Sequence, residues 1–202
     1  MANIHTCLEQ NNTNRLCFRN WEESDASLLY QYASNPKIAH GCGFPVHLSL
    51  SSCSEHQSVE GSLQVIRDVF LQNKYSFAIV LKETNTIIGM ITIMLDRQEA
   101  EEEAELGLWL AEEYWGCGYM SEAVPAILNY AFDILNMSVI WYGYFSDNER
   151  SKKLQRKIGF VHEGAQENVK LKQVDRIVNR NISKMTRENW IRLKKEVNRI
   201  TE

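Results

Sequence analysis

The chain has 202 residues, of which 44% are hydrophobic and 24% charged, and this balance is typical of one globular domain spanning residues 1–202. The net charge of −4 argues against general nucleic-acid binding, because affinity for phosphates needs a surplus of Lys and Arg. No apolar run approaches the roughly 20 residues of a membrane-spanning helix, and the N-terminal segment shows no targeting pattern. We therefore expect a cytoplasmic protein that binds neither nucleic acid nor membrane.

The five cysteines are widely spaced and contain no C-x-x-C pair, so we expect free thiols in a reducing compartment. One short segment is nevertheless rich in residue types that bind metals: His40, Cys42, His47, Cys53 and His56. Its irregular spacing differs from structural zinc sites, whose ligand pairs lie roughly two to four residues apart. The sequence favours a polar loop without a metal, an expectation that stoichiometric zinc would contradict.

The N-terminal half predicts one strand, two helices and an antiparallel meander. Alternating residues predict a strand from Arg15 to Arg19, and Ser24 is a candidate N-cap for a helix that ends at Asn35-Pro36. A second helix is expected from about Ser58. Three β-rich segments follow in close succession: Tyr75 to Leu81, Thr86 to Leu95 and Ala104 to Leu110.

The C-terminal half predicts three helices and three strands. The first helix follows Gly116-Cys117-Gly118, carries Pro125 near its start, and has an apolar inner face formed by Ala123, Ile127, Tyr130, Ala131 and Ile134. The remaining elements are predicted as strand Ser138 to Phe145, helix Asn148 to Ile158, strands Gly159 to His162 and Arg176 to Met185, and a short helix around Trp190. Together the elements predict an α+β fold, with a mixed, mostly antiparallel seven-stranded sheet and helices on both faces.

The glycine pair Gly116 and Gly118 joins a strand to a helix. Backbone N–H groups can converge on an anion at such a junction, although a plain tight turn explains the same residues. A dinucleotide fingerprint would need a third glycine at Ser121, and a phosphate loop would need Gly-Lys-Ser/Thr. The sequence therefore does not favour binding of nicotinamide nucleotides or nucleoside triphosphates.

The predicted helix after Asn148 is strongly basic, since five of the eight residues from Arg150 to Lys157 are Lys or Arg. A solvated helix face is one interpretation, and a surface that meets a phosphate-rich ligand is the other.

Two segments carry a family resemblance: AELGLWLAEEYWGCGYMSEA (residues 104–123) and NERSKKLQRKIGF (residues 148–160). They resemble the signature segments of the GNAT superfamily of N-acetyltransferases, and most of all the branch of ribosomal-protein serine/alanine acetyltransferases, as do both ends of the chain, RLCFRNWEESDASLLYQYASNPKIA and MTRENW. The resemblance implies the acyl-CoA N-acyltransferase fold, acetyl-CoA as co-substrate, no metal, and one strand that separates from its neighbour to admit the pantetheine arm. Members of the family are often homodimers.

By position, the resemblance also implies roles for individual residues. The backbone of Leu108, Trp109, Leu110 and Ala111 would line the pantetheine. The pyrophosphate would be wrapped by Trp115, Gly116, Cys117, Gly118, Tyr119 and Met120. Asn148 would contact the pantetheine arm, Ser151 would donate a proton near the thioester sulfur, and Lys153 and Arg156 would meet the adenosine phosphates. Glu113 occupies a place where the family usually has Gln or Arg, and we expect it to point outward.

The chemistry requires a neutral amine. An α-amine, with a pKa of about 7.8, is roughly a tenth neutral at pH 7, whereas a lysine or polyamine needs a stronger base or a desolvating pocket. Glu105 is the candidate base, directly or through a water, unless it is simply a surface carboxylate. The acidic run from Glu99 to Glu105 is either a solvated turn or a segment that helps to attract a cationic acceptor. The family transfers acetyl directly, so we do not expect Cys117 to act as a nucleophile.

The motifs do not specify the acceptor. We expect a protein N-terminal amine, with a small-molecule amine (antibiotic, amino acid or polyamine) or a non-catalytic CoA-binding sensor as alternatives. Acceptor choice should depend on Gly41 to Ser58 and Gln166 to Asp175, whose shapes the sequence does not predict.

Overall fold

The computed structural model describes residues 13–41, 58–95, 102–171 and 176–201. Seven strands are present: β1 (Leu16–Asn20), β2 (Ser76–Leu81), β3 (Thr86–Met94), β4 (Glu103–Leu110), β5 (Val139–Phe145), β6 (Val161–Leu171) and β7 (Arg176–Thr186). The α-helices in the described ranges are α1 (Ala26–Ala33), α2 (Pro36–Gly41), α3 (Val59–Val65), α4 (Tyr119–Asn129), α5 (Glu149–Ile158) and α6 (Arg187–Thr201). Short π-helical turns extend α3 and α4, through Ile66–Phe70 and Tyr130–Ile134.

The strands form one sheet in the order β1-β2-β3-β4-β5-β7-β6. The β4–β5 pair is parallel, and the other five neighbouring pairs are antiparallel. A parallel pair needs a crossover connection, and α4 provides it. The predicted mixed, mostly antiparallel seven-stranded sheet is confirmed.

Both faces of the central sheet are covered, which is why β4 is apolar nearly throughout. Leu106 and Leu110 pack with α4 and α6 in one buried cluster. Trp109 and Ala111, pointing to the opposite face, pack with α1 and α2 in a second cluster. Period-2 alternation therefore assigns β4 side chains to two separate cores. No helix in the described residues is both long enough and apolar enough to cross a membrane.

Two details of the predicted helices are wrong. Ser24 lies inside a short 3₁₀ turn, Glu23–Asp25, and does not cap α1. The anchor there is Asp25, which accepts hydrogen bonds from the Glu22 N–H at 2.9 Å and from Arg19 at 2.7 Å. Ile134 is 51% exposed, because the wider π-helical turn shifts the phase of the helix and rotates this residue away from the core.

The last strands and the last helix are longer than the sequence indicated. β6 runs to Leu171, well beyond the predicted end at His162, and part of the supposedly irregular Gln166 to Asp175 connection is therefore strand. This edge strand is mostly exposed and its register shifts twice, so no apolar alternation marks it. α6 has 15 residues, although a short helix was predicted. Residues 42–57, which hold most of the Gly41 to Ser58 loop and of the metal-ligand cluster, lie outside the described residues.

Candidate active site

A cleft opens where β4 and β5 separate. The two strands pair only from Glu103 to Glu105, against Val139 to Trp141, although both strands continue well beyond that point. A cavity of about 620 Å³ occupies the gap. The unpaired stretch leaves main-chain groups of two strands available to a ligand.

The β4 wall of the cleft presents alternate main-chain groups. The Ala111 N–H donates to the Ile88 carbonyl at 2.8 Å, so the odd-numbered residues bond toward β3 and the main chains of Leu108 and Leu110 face β5. The Leu110 carbonyl accepts a hydrogen bond from Trp115 Nε1 at 2.7 Å. Leu108, Trp109 and Leu110 line the cavity, but Ala111 does not.

The loop between β4 and α4 closes one end of the cleft. Gly116 and Gly118 have φ values of +79° and +80°, which L-residues rarely adopt, and both line the cavity together with Trp115, Tyr119 and Met120. Cys117 is exposed and lies outside the lining.

Arg15, which directly precedes β1, and Glu122, on α4, brace this loop. The Arg15 guanidinium donates to the Cys117 carbonyl at 3.1 Å and to Glu122 at 2.6 Å, and it lies 4.4 Å from the centroid of the Tyr119 ring. Burial alone would raise the pKa of Glu122, but hydrogen bonds from Thr13 and Arg15 lower it below its usual value. Glu113 is exposed and outside the lining, as expected.

Basic side chains of α5 form the facing wall. Arg150, Lys153 and Lys157 line the cavity, and the Arg150 guanidinium lies 3.6 Å from the centroid of the Trp115 ring. Arg156 instead lines a second cavity, of about 370 Å³. The i, i+3, i+7 spacing from Arg150 places these three cations on one face, a signal that could have found Arg150 and Lys157.

Asn148 and Ser151 begin α5 at the cleft. The Asn148 carboxamide caps the helix by accepting from the Ser151 N–H at 3.1 Å, and it donates to the Gly41 carbonyl at 3.2 Å. The Ser151 hydroxyl donates to the hydroxyl of Tyr142 at 3.2 Å. Tyr142 is only 4% exposed and lines the same cavity.

Glu105, on β4, also lines the cavity. Its carboxylate accepts a hydrogen bond from the guanidinium of Arg180, which reaches it from β7. The structure thus brings both predicted catalytic residues, Glu105 and Ser151, to one cleft. Tyr142 and Arg180 were missed, because nothing near them in sequence indicates that sheet pairing delivers them there.

Several ion pairs lie near α2, at one side of the cleft. His40 Nε2 lies 2.7 Å from an Asp147 carboxylate oxygen, and Arg176 lies 3.2 Å from the same oxygen. Lys37 binds Glu112, and hydrogen bonds from Asn35 and from this lysine lower the Glu112 pKa. Among the described residues, no group of three or more His, Cys, Asp or Glu could hold a metal ion.

The cleft suits a thioester joined to a phosphorylated nucleotide. Main-chain groups of β4 face a narrow gap that can take an extended arm, and a glycine-bearing loop at a helix start can approach phosphates closely. Three cations lie on the facing helix. These features and the split parallel pair define the class of acyl-CoA-dependent N-acyltransferases.

Comparison with known proteins gives the family. Residues 15–161 match the family model described as acetyltransferase (GNAT) domain, so the chain belongs to the GNAT family and is an acetyl-CoA-dependent N-acetyltransferase. An uncharacterized N-acetyltransferase of Bacillus licheniformis is 31% identical over 154 residues, which are 75% of this chain and 82% of that protein.

Two solved structures share the fold. The ribosomal-protein-S5-alanine acetyltransferase of Vibrio fischeri superposes with a TM-score of 0.71 at 22% identity, covering 88% of this chain and 96% of that one. The spermidine N-acetyltransferase of Vibrio cholerae, solved with CoA and spermine, gives a TM-score of 0.69 at 18% identity, covering 88% and 98%. Proteins with two kinds of acceptor therefore share this fold, and the fold alone does not identify the acceptor.

Proposed function

We propose that this protein transfers acetyl from acetyl-CoA directly to a primary amine in a ternary complex, and that the acceptor is the α-amine of a peptide or protein N-terminus. One observation carries the proposal: Glu105 of β4 and Ser151 of α5 line the same cleft. A base for the amine and a proton donor for the leaving sulfur are the two groups that direct aminolysis of a thioester requires.

The proposed donor site uses groups that face the cavity. The main chains of Leu108 and Leu110 bind the pantetheine arm, and the loop at Gly116 and Gly118 receives the pyrophosphate, beside the basic face of Arg150, Lys153 and Lys157. Asn148 orients the start of α5 toward the arm. The side chains of Ala111, Cys117 and Arg156 lie outside the cavity lining, so the proposed site does not include them.

The proposed chemistry uses two proton transfers. Bound acetyl-CoA supplies a thioester carbonyl, at which the carbon–nitrogen bond forms and the carbon–sulfur bond breaks. Glu105 removes a proton from the amine, directly or through a water, and the Ser151 hydroxyl gives a proton to the leaving sulfur. Tyr142 holds that hydroxyl in place through the 3.2 Å hydrogen bond. Solvent then restores both groups.

An α-amine suits this base better than a polyamine does. A carboxylate is a much weaker base than an alkylamine, so it is matched to an amine that is already roughly a tenth neutral at pH 7. Three carboxylates in and near this side of the described cleft already have cationic partners: Glu105 pairs with Arg180, Asp147 with Arg176, and Glu112 with Lys37. Because their negative charge is balanced, they attract a polycationic acceptor less strongly than unpaired carboxylates would.

Two measurements test the proposal. Isothermal titration with acetyl-CoA establishes donor binding, and thiol release with an N-terminal peptide measures turnover. Glu105→Gln and Ser151→Ala should each lower kcat by roughly 100-fold or more while leaving acetyl-CoA affinity nearly unchanged. Glu103→Gln is the matched control, since Glu103 shares the strand face but bonds to Trp141 Nε1, at 2.6 Å, and lies outside the cavity lining.

The possible outcomes separate the alternatives. Binding without turnover on any amine would favour the sensor function, turnover on polyamines but not on peptides would favour a small-molecule acceptor, and absence of acetyl-CoA binding would refute the proposed site.

A further inference from the structure

An arginine from β7 lies inside the cleft beside the candidate base. Arg180 pairs with Phe145 in the β5–β7 register, and its side chain crosses Gly143 to bind the Glu105 carboxylate of β4. A Cβ on Gly143 would lie only 2.3 Å from Arg180 Nε. The missing side chain at Gly143 therefore gives the guanidinium a path across β5.

Two apolar residues of the cavity lining flank the charged pair. Met94 is the β3 partner of Glu105, Phe145 is the β5 partner of Arg180, and both line the cavity. The side chains of Glu105 and Arg180 are 22% and 31% exposed. In such surroundings a charged hydrogen bond to a ligand is stronger than it would be in open solvent.

The pair offers an acceptor and a donor side by side. An arginine carries five N–H donors, and the structure gives one hydrogen bond from Arg180, to Glu105. A carboxylate has two oxygens and can bind a guanidinium and an amine at once. Glu105 and Arg180 can therefore engage two neighbouring groups of one ligand.

We propose that Glu105 and Arg180 together recognise an amine whose adjacent carbon bears a carbonyl group, as in a peptide N-terminus or an amino-acid amide. Glu105 accepts from the amine N–H, and Arg180 donates to the carbonyl oxygen. A lysine side chain or a polyamine lacks that carbonyl and leaves the guanidinium without its ligand. The inference rests on the proposed function and makes Arg180 a specificity-determining residue.

The experiment compares two small acceptors of similar basicity. Glycinamide has the adjacent carbonyl, and propargylamine has a similar pKa without it, so ionisation does not bias the comparison. Initial rates of thiol release at saturating acetyl-CoA give kcat/KM for each. We expect the wild-type protein to prefer glycinamide, and Arg180→Gln to lower kcat/KM for glycinamide by roughly 10- to 100-fold, mainly through KM, while changing propargylamine turnover little.

Lys184→Gln is the matched control. Lys184 lies on the same face of β7 and also forms an ion pair, with Glu163 at 2.9 Å, but it is outside the cavity lining. It should leave both acceptors unchanged. Acetyl-CoA affinity, measured by titration, checks that each variant keeps its fold.

Three results would overturn the inference. Equal kcat/KM for the two amines in the wild-type protein, or an equal loss for both in Arg180→Gln, would show that Arg180 only supports the structure or Glu105. Turnover of an N-terminal peptide but of neither small amine would show that the amine and its adjacent carbonyl are not sufficient for recognition, which overturns the inference and leaves the proposed function in place.

Discussion

Replacing Gly143 with alanine tests the Arg180 arrangement without removing the arginine. The new Cβ would lie 2.3 Å from Nε, 2.5 Å from Nη2 and 2.7 Å from Cζ of Arg180, which is closer than non-bonded atoms allow. Because Arg180 has a long side chain that is 31% exposed, the guanidinium can move aside more easily than β5 can. We expect Gly143→Ala to fold and to separate Arg180 from Glu105.

The expected energies are small for folding and larger for catalysis. A partly exposed ion pair contributes roughly 0.2–1 kcal/mol to stability, and alanine is better than glycine inside a strand by roughly 0.5–1 kcal/mol. The free energy of unfolding should therefore stay within about 1 kcal/mol of the wild-type value. The lost charged hydrogen bond to the acceptor should cost about 1.5–3 kcal/mol of transition-state binding, which is at least roughly tenfold in kcat/KM for an α-amine.

Urea unfolding and thiol-release rates, measured on the same samples, separate an effect on stability from an effect on acceptor turnover. Gly164→Ala on β6 is the control, because a Cβ there meets nothing within 4 Å. Wild-type kcat/KM in Gly143→Ala would refute the role of the Arg180–Glu105 pair in acceptor binding. If the free energy of unfolding instead falls by more than roughly 3 kcal/mol, the strand and not the side chain yields to the clash.

Three further predictions concern the strand pair, the glycine loop and pH. Gly89→Ala places a Cβ 2.4 Å from the Trp109 carbonyl oxygen, a main-chain clash, so the urea midpoint should fall by the equivalent of roughly 1–3 kcal/mol or more; an unchanged midpoint would contradict the close β3–β4 approach. Gly116→Ala puts a side chain at φ +79°, where strain costs about 1–2 kcal/mol, so titration should show weaker acetyl-CoA binding, and unaltered affinity would remove the loop from the donor site. The lowered pKa of Glu122 means that its ionised form stabilises the fold above the ordinary value of 4.5 and that this contribution is lost as the pH falls through the lowered pKa. In urea midpoints measured across pH, Glu122→Gln should therefore reduce the fall in stability at acidic pH. An equally steep fall in the variant would show that other groups cause it.

The strands in the middle of the sheet could be predicted closely from the sequence, and the edge could not. β3 was predicted as Thr86 to Leu95 and is Thr86–Met94, because burial on both faces makes its apolar run continuous. β6 was predicted to end at His162 and continues to Leu171. Its side chains face solvent and its register shifts twice, so neither apolar alternation nor composition distinguishes it from a loop.

The candidate site likewise contains residues that the sequence predicts and residues that it does not. Ser151 and most of the residues predicted between Leu108 and Met120 line the cavity, although Ala111 and Cys117 do not. They could be predicted because the family motifs are contiguous in sequence. Tyr142 enters the cleft because β5 pairs with β4, and Arg180 enters it because β7 pairs with β5, with Phe145 opposite Arg180. Such a contact depends on strand order, which local sequence patterns do not contain.

The proposed donor groups and Arg180, the proposed acceptor-recognition residue, lie in different parts of the chain. The family match covers residues 15–161, and the proposed donor groups from Leu108 to Lys157 all lie within it. Arg180 lies beyond it, on a strand inserted between β5 and β6. Because β7 contributes Arg180 to the cavity lining, a change at this position can alter the acceptor side while the split β4–β5 pair, the glycine loop and the basic helix stay as they are. Acceptor selectivity in this protein should therefore respond to substitutions of Arg180 that leave acetyl-CoA affinity constant.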